Sequence, residues 1–125
     1  MGTPPQIACA ELLRRRAEFQ GPLQERLRAN LETLREFARE NAGLQAAPQP
    51  LWPQGGWCIP VRCPGILAAG IDDEAFAIHL LETEGVQVHP GYFFDFDGED
   101  FLVLSLLPEP EIFREGLARL RRVLN

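Results

Sequence analysis

The 125-residue sequence contains no lysine, and all 12 of its basic residues are arginine. Chemistry that needs a deprotonated side-chain amine is therefore excluded from this chain, because arginine stays protonated in proteins. Basic residues are also too few for a nucleic-acid interface, since the net charge is −6 and the pI is about 4.9. The arginines at 14–16 and 121–122 form short runs that are typical of solvated helix faces. We expect no nucleic-acid partner.

Long apolar runs and a cysteine framework are missing as well. No apolar segment approaches the roughly 20 residues of a membrane-spanning helix, and residues 1–6 lack the basic and apolar regions of a signal peptide. The cysteines number 3, and Cys58 and Cys63 are isolated from both histidines, so no zinc-binding set is predicted. We therefore expect free thiols in the reducing cytoplasm, no metal site and no membrane partner.

What the sequence does contain is typical of one globular domain. Hydrophobic residues make up 46% of the chain and charged residues 24%, which are ordinary values for a folded protein. The segment Thr3–Gln6 predicts the start of a first helix, and Gly21-Pro22 is expected to end or kink it. Apolar residues at three- and four-residue steps predict a second, long helix from Pro22 to about Asn41.

The rest of the chain alternates between short strands and helices. Strands are predicted at 57–63, 86–88 and 101–106. Pro60 places the first of them at a sheet edge or in a bulge. Residues 64–70 are expected to form a loop, and helices are predicted at 74–84 and from 109 onward. Asp72 or Asp73 caps the first of these helices and Gly85 stops it.

The order of elements indicates an α+β fold. We expect a small, mainly antiparallel sheet with helices packed on one face, preceded by the long helix. Phe94 and Phe96 are predicted to share a face in the core, because strand residues alternate. His79 is expected to be a surface or half-buried packing residue of its helix.

An acidic run near the end of the chain invites a calcium or a carboxylate-catalysis hypothesis. Its members are Asp95, Asp97, Glu99 and Asp100. The run lacks the spacing of an EF-hand loop. It also flanks an Asp-Gly turn, whereas paired catalytic carboxylates need an enclosed cleft. We expect a solvated acidic turn.

Several segments, taken in order, resemble a known family. The segment 3–8 (TPPQIA) is similar to the helix start that follows the cofactor lysine of class I/II (fold type I) pyridoxal-phosphate-dependent aminotransferases. The helix from Pro22 resembles the long element that bridges their two domains. Residues 82–91 (ETEGVQVHPG), 101–106 (FLVLSL) and 109–120 (EPEIFREGLARL) resemble the family's small-domain pattern. The chain is thus similar to the C-terminal small domain, with an interdomain-type helical region at 1–43 and the small domain itself at 44–125.

The resemblance implies where the chemistry lies. The cofactor lysine and most phosphate-binding groups belong to the family's large domain, so pyridoxal phosphate is expected in the full-length enzyme and none on this chain, which carries no catalytic residue. The arginine that clamps the substrate carboxylate in the family is replaced here by Val103. His89 and Tyr92 fall in a loop near the active-site entrance, and both are predicted to bind substrate. The alternative for them is an ordinary loop histidine and a packing aromatic.

We therefore expect a C-terminal fragment of an aminotransferase, inactive alone, whose parent moves amino groups between amino acids and 2-oxo acids. The abrupt match after Met1-Gly2 suggests an engineered or misannotated start. Its partners would be the missing large domain and a second copy of the chain, because excision exposes apolar helix faces. An alternative is a free-standing interaction or ligand-binding module with the same fold. An enzyme acting alone ranks third, since no nucleophile, base and orienting group occur at a recognisable spacing.

Overall fold

A computed structural model describes residues 3–44, 46–98 and 100–124. In chain order its helices and strands are α1 (Thr3–Arg14), α2 (Arg16–Asn41), β1 (Gln49–Pro50), β2 (Cys58–Arg62), α3 (Pro64–Ala68), α4 (Asp73–Glu84), β3 (His89–Pro90), β4 (Phe101–Ser105) and α5 (Pro110–Leu124). A short 3-10 helix, Gly91–Phe94, follows β3 directly. Within the described ranges, no helix is both long enough and apolar enough to cross a membrane.

The four strands form one antiparallel sheet in the order β1-β2-β4-β3. Alternate residues of β2 and β4 point into a single core, where they meet the buried sides of α2, α4 and α5. The sheet and helix residues of this core include Ile59, Val61, Leu102, Leu104, Leu34, Phe37, Phe76, Leu80, Phe113, Leu117 and Leu120. The predicted α+β class, with helices packed on one face of a small antiparallel sheet, is confirmed.

The opposite side of the sheet is called the second face below. It carries the alternate residues, which share a face because strand side chains have a period of two. These residues are Gln49, Cys58, Pro60, Arg62, His89, Phe101, Val103 and Ser105.

The first two helices differ from the prediction at their junction. The helix does not end at Gly21-Pro22, because Pro22 lies inside α2. The break is at Arg15, whose carbonyl accepts a hydrogen bond from Glu18 N–H at 3.0 Å in a tightened turn. A proline removes one hydrogen bond from a helix interior. The buried stripe that follows it in α2, through Leu34 and Phe37, stabilises the helix despite that loss.

The expected edge position of Pro60 is wrong. Strand β2 is an interior strand that pairs with β1 on one side and β4 on the other. The Pro60 carbonyl accepts a hydrogen bond from Leu51 N–H at 2.9 Å on the β1 side. The proline nitrogen faces that same side, where β1 is only two residues long. A proline is tolerated there because β1 is so short that the main-chain hydrogen bond which the proline cannot donate is not part of a long series between the strands.

Helix α4 follows the prediction closely. The Asp72 carboxylate accepts a hydrogen bond from Ala75 N–H at 2.7 Å, and Gly85 ends the helix in a left-handed conformation with φ of 66°. Phe76, Ala77 and Leu80 are buried in the core, whereas Leu81 is half exposed.

Two short segments were assigned wrongly. Residues 64–70 contain helix α3 rather than a loop, and Pro64 occupies its first position, where a proline needs no donor. The strand predicted at 86–88 is instead the two-residue β3, His89–Pro90. Strand β3 pairs with Val103 and Leu102 of β4. Pairing with the sheet therefore begins at His89, after the β-branched residues Val86 and Val88 that predicted the strand.

Candidate functional site

His89 lies on the second face of the sheet, in a row with Val103. Val103 pairs with Pro60 on one side and with His89 on the other. Val103 is only 2% exposed although it is not part of the core cluster. The structure therefore brings His89 beside Val103, a juxtaposition that sequence spacing alone does not reveal.

The loop after His89 is fixed to the start of α4 by one buried carboxylate. Asp73 Oδ2 accepts hydrogen bonds from Gly91 N–H at 2.6 Å and from Tyr92 N–H at 3.3 Å. Gly91 also packs tightly against β4, since a Cβ placed on it would lie 2.5 Å from the Phe101 Cβ. The 3-10 helix is thus held from two directions.

The aromatic side chains of this loop form an exposed cluster around Phe93. The ring centroids of His89 and Phe93 are 6.2 Å apart, and those of Tyr92 and Phe93 are 4.7 Å apart. Phe94 also approaches His89, at 6.2 Å. His89 and Tyr92 are therefore linked through Phe93, and this cluster is the candidate site.

The predicted burial of Phe94 beside Phe96 is wrong. Phe94 is exposed, whereas Phe96 is half-buried and stacks on Phe101 with a centroid distance of 4.8 Å. The prediction assumed strand alternation, but Gly91–Phe94 is a 3-10 helix with about three residues per turn. Its aromatic residues consequently point in different directions.

Tyr92 faces the acidic start of α4. Partial desolvation raises the pKa of Tyr92, and the nearby carboxylates of Glu74 and Asp73 raise this pKa further. The phenol therefore keeps its proton at neutral pH. Tyr92 can contribute binding and orientation in this state, but it offers no phenolate to act as a base.

The acidic run is solvated only in part. Asp95 and Asp97 are exposed as predicted, but Asp100 is buried and accepts a hydrogen bond from Arg62 Nε at 2.7 Å. Glu99 lies outside the described residues. No local pattern in the sequence points to this pair, because Arg62 and Asp100 are 38 residues apart and meet only when β2 pairs with β4.

A separate apolar groove lies away from this cluster. Its volume is about 270 Å3, and it is enclosed by residues 85–88, the end of β4 and one side of α5. Val86, Val88 and Ile112 line it, whereas His89 and Tyr92 do not.

Among the residues that the structure describes, no group of three or more histidine, cysteine, aspartate or glutamate side chains could hold a metal ion.

The similarity of this chain to known proteins is found in solved structures and not in sequence comparisons. No protein-family profile matches the chain, and no curated protein sequence does. Among solved structures, the chain is similar to an aspartate aminotransferase from Thermotoga maritima, with 26% identity, a TM-score of 0.60, and coverage of 82% of this chain and 23% of that one. It is also similar to a pyridoxal-phosphate-dependent aminotransferase from Streptococcus suis, with 24% identity, a TM-score of 0.72, and coverage of 90% and 28%.

This is the fold of an aminotransferase domain. The resemblance to the C-terminal small domain of the pyridoxal-phosphate-dependent aminotransferases is confirmed at this level. A third similar structure is a pyridoxal-phosphate-dependent cyclase, OrfR, with 23% identity and a TM-score of 0.78; the match covers 99% of this chain and 32% of the cyclase. The chain spans between 23% and 32% of these three solved chains.

Proposed function

We propose that this chain is the C-terminal domain fragment of a pyridoxal-phosphate-dependent aminotransferase and is not catalytic alone. The observation that carries the proposal is the shared fold, which overlaps about a quarter of each aminotransferase chain. The parent reaction would transfer an amino group between an amino acid and a 2-oxo acid. The parent would work in the cytoplasm, as a dimer or other homo-oligomer.

The residues of this chain do not fit covalent attachment of pyridoxal phosphate. Attachment requires a lysine amine, and the sequence contains none. The 12 arginines cannot replace it because they remain protonated. The cofactor would be held by the large domain of the parent, which is the first partner that we propose.

The domain would supply one wall of the substrate pocket. His89 and Tyr92 would contact the substrate, while the exposed ring of Phe93 lies between them and would exclude water. Asp73 holds this wall rigid through the main chain of Gly91 and Tyr92. A domain that closes over its substrate needs such a preformed surface.

The first test is the coding sequence upstream of Met1. We expect an in-frame segment that encodes a lysine-bearing large domain. A natural reading frame that begins at Met1, with no such segment before it, would overturn the fragment proposal and favour the free-standing binding module.

The second test is cofactor capture by the chain itself. After incubation with pyridoxal phosphate and borohydride reduction, peptide mapping should find a reduced adduct at the terminal amine only. A chain acetylated at its N-terminus is the matched control and should give no adduct. A stoichiometric adduct at an internal residue would contradict the proposal that the chain is inert.

A second candidate is a parent with the same cofactor but another reaction. The similarity to the cyclase OrfR covers 99% of this chain, including both N-terminal helices, and Val103 is not the residue that the aminotransferase resemblance implies. The full-length enzyme separates the candidates when it is given an amino acid without an acceptor. An aminotransferase should release one equivalent of 2-oxo acid, whereas a cyclase should release none.

A further inference from the structure

Arg62 is anchored at one edge of its guanidinium and is open at the other. Its Nε donates to Asp100 Oδ2 at 2.7 Å, and the side chain of Arg62 is 50% exposed while that of Asp100 is 4% exposed. Within residues 3–44, 46–98 and 100–124, the side chain of Arg62 makes no further hydrogen bond or ion pair. A guanidinium carries five N–H donors, so the two terminal nitrogens remain available to a ligand.

Asp100 fixes the direction of this guanidinium. The Asp100 main chain is itself held, because its carbonyl accepts a hydrogen bond from Cys63 N–H at 2.6 Å. A buried carboxylate bound to Nε restricts the rotation of the arginine side chain. The free edge is thereby presented in a defined geometry, which lowers the entropy lost when a ligand binds.

The location of Arg62 places it near the candidate site. Arg62 pairs with Phe101, one row along the second face from Val103 and His89. Strand spacings of about 4.8 Å, and about 6.8 Å between alternate residues, put the Arg62 and His89 Cα atoms roughly 12 Å apart. Arg62 and His89 therefore lie on the same face of the sheet, on strands two apart.

We propose that Arg62 binds the carboxylate of a small-molecule substrate on the second face of the sheet, and that Asp100 is its positioning residue. A planar guanidinium with two free terminal nitrogens matches a carboxylate in a bidentate pair. The inference rests on the proposed function for the assumption that this face borders the substrate pocket. The binding itself requires only the chain.

The test is a titration of the 125-residue chain, followed by the NMR signals of the arginine Nε–H groups. Pyruvate is the probe, and methyl pyruvate is the uncharged control. We expect pyruvate to shift the Arg62 signal saturably with a midpoint in the millimolar range, and methyl pyruvate to leave it unchanged. Equal shifts with both compounds, or no saturable shift with pyruvate, would overturn the proposal.

Inorganic phosphate distinguishes the two oxyanions that an arginine recognises. Pyruvate should bind at least as tightly as phosphate. Binding of phosphate about tenfold tighter than pyruvate would reject a carboxylate site and indicate a phosphate subsite instead.

Variants separate binding from folding. Arg62→Gln should weaken pyruvate binding at least about tenfold, but it leaves Asp100 buried without its partner and should lower the melting temperature. The double variant Arg62→Gln with Asp100→Asn removes both charges and should recover most of that stability while pyruvate binding stays lost. Arg114→Gln, on the exposed side of α5, is the matched control and should bind pyruvate as the parent chain does. Normal binding by the double variant would contradict the assignment of Arg62.

Asp100→Asn alone tests the positioning role. Exchange of the Arg62 Nε proton with water should become about tenfold faster, because the charge-assisted hydrogen bond is lost. An unchanged exchange rate would remove Asp100 from the proposal. These measurements need no cofactor and no large domain. A chain that does not bind pyruvate would therefore overturn the role of Arg62 but not the fragment proposal. The absence of an upstream large domain would overturn the fragment proposal but would not change the measured affinity for pyruvate.

Discussion

The buried carboxylate of Asp73 accepts a hydrogen bond from the main-chain N–H of Gly91 at 2.6 Å. Asp73 is the first residue of α4, where the helix dipole favours a negative charge. Gly91 opens the 3-10 helix that carries the exposed aromatic side chains. One carboxylate therefore couples the position of a core helix to the position of the proposed pocket wall.

Removal of the Asp73 carboxylate should loosen this wall. Asp73→Ala leaves the N–H groups of Gly91 and Tyr92 without their acceptor, and a buried unpaired donor costs roughly 1–3 kcal/mol. We expect the free energy of unfolding in urea to fall by about 2 kcal/mol. Asp73→Asn keeps an acceptor oxygen and should lose about half as much.

Hydrogen exchange distinguishes a local effect from a global one. In Asp73→Ala, the amides of β2 should exchange faster only by the factor that the loss of global stability predicts. The amides of Gly91 and Tyr92 should exchange faster by a larger factor, because the loop itself opens more often. Equal acceleration throughout the chain would show that Asp73 stabilises the fold but does not fix the loop.

Substitution of Gly91 should be destabilising for a steric reason. A Cβ at position 91 would lie 2.5 Å from the Phe101 Cβ and 3.1 Å from the Phe101 carbonyl oxygen. Because the obstacle includes main chain, Gly91→Ala requires a shift of the loop or of β4, and we expect a loss of about 2 kcal/mol. Urea unfolding provides the measurement.

Gly21→Ala is the matched control for this substitution. Gly21 lies inside α2, and a Cβ there would meet nothing within 4 Å. Alanine is the better helix former by roughly 1 kcal/mol, so this variant should be neutral or slightly more stable. A Gly91→Ala protein as stable as Gly21→Ala would refute the close packing of the loop against β4.

Local signals in the sequence predicted those parts of the fold that local interactions determine. Asp72 and Gly85 bound α4 because a side-chain cap and a left-handed terminal residue act within a few residues. Phe113, Leu117 and Leu120 recur at the three- and four-residue steps of one helix side, and this side of α5 is buried. Neither feature needs knowledge of the sheet.

Features that depend on sheet order could not be predicted in this way. Pro60 signals an edge in sequence, but its tolerance depends on how short β1 is. The four acidic residues at 95–100 look alike in sequence, and only the pairing of β2 with β4 shows that Asp100 meets Arg62. The sequence placed His89 and Tyr92 in one loop, and their role as substrate-binding residues stays a prediction. It gave no indication of Arg62, which we propose as a carboxylate-binding residue on the same face of the sheet.

Cys63 should be chemically inert while the protein is folded. Burial raises the pKa of the Cys63 thiol from 9.0 to about 12, and the charge of Asp100 contributes to this rise. The thiolate is the reactive form, so alkylation near pH 8 should modify the exposed Cys9 rapidly and Cys63 only after unfolding. Peptide mapping after a short pulse of iodoacetamide measures the difference, and rapid modification of Cys63 would contradict its burial.

The same pKa shift predicts a pH dependence of stability. A thiol whose pKa is higher in the folded than in the unfolded state stabilises the fold fully below pH 9, and this contribution is lost as the pH rises toward about 12. Stability should therefore fall more steeply above pH 9 in the parent chain than in Cys63→Ala. The alanine variant should be less stable by about 1 kcal/mol at pH 7, because it loses buried volume. Parallel curves above pH 9 would show that Cys63 does not cause the slope.

The first helix should mediate self-association of the chain. None of the residues of α1 is buried, and Ile7 and Leu13 are 77% and 54% exposed. An isolated helix of 12 residues is marginal in water, so apolar contact with a second copy would stabilise it. We expect light scattering to show a mass that rises with protein concentration. Ile7→Glu combined with Leu13→Glu should reduce this rise, whereas Gln20→Glu combined with Gln24→Glu adds the same charge on exposed positions and should not. A monomeric mass at every concentration would contradict the homo-oligomer, while leaving the large domain as the partner for this helix.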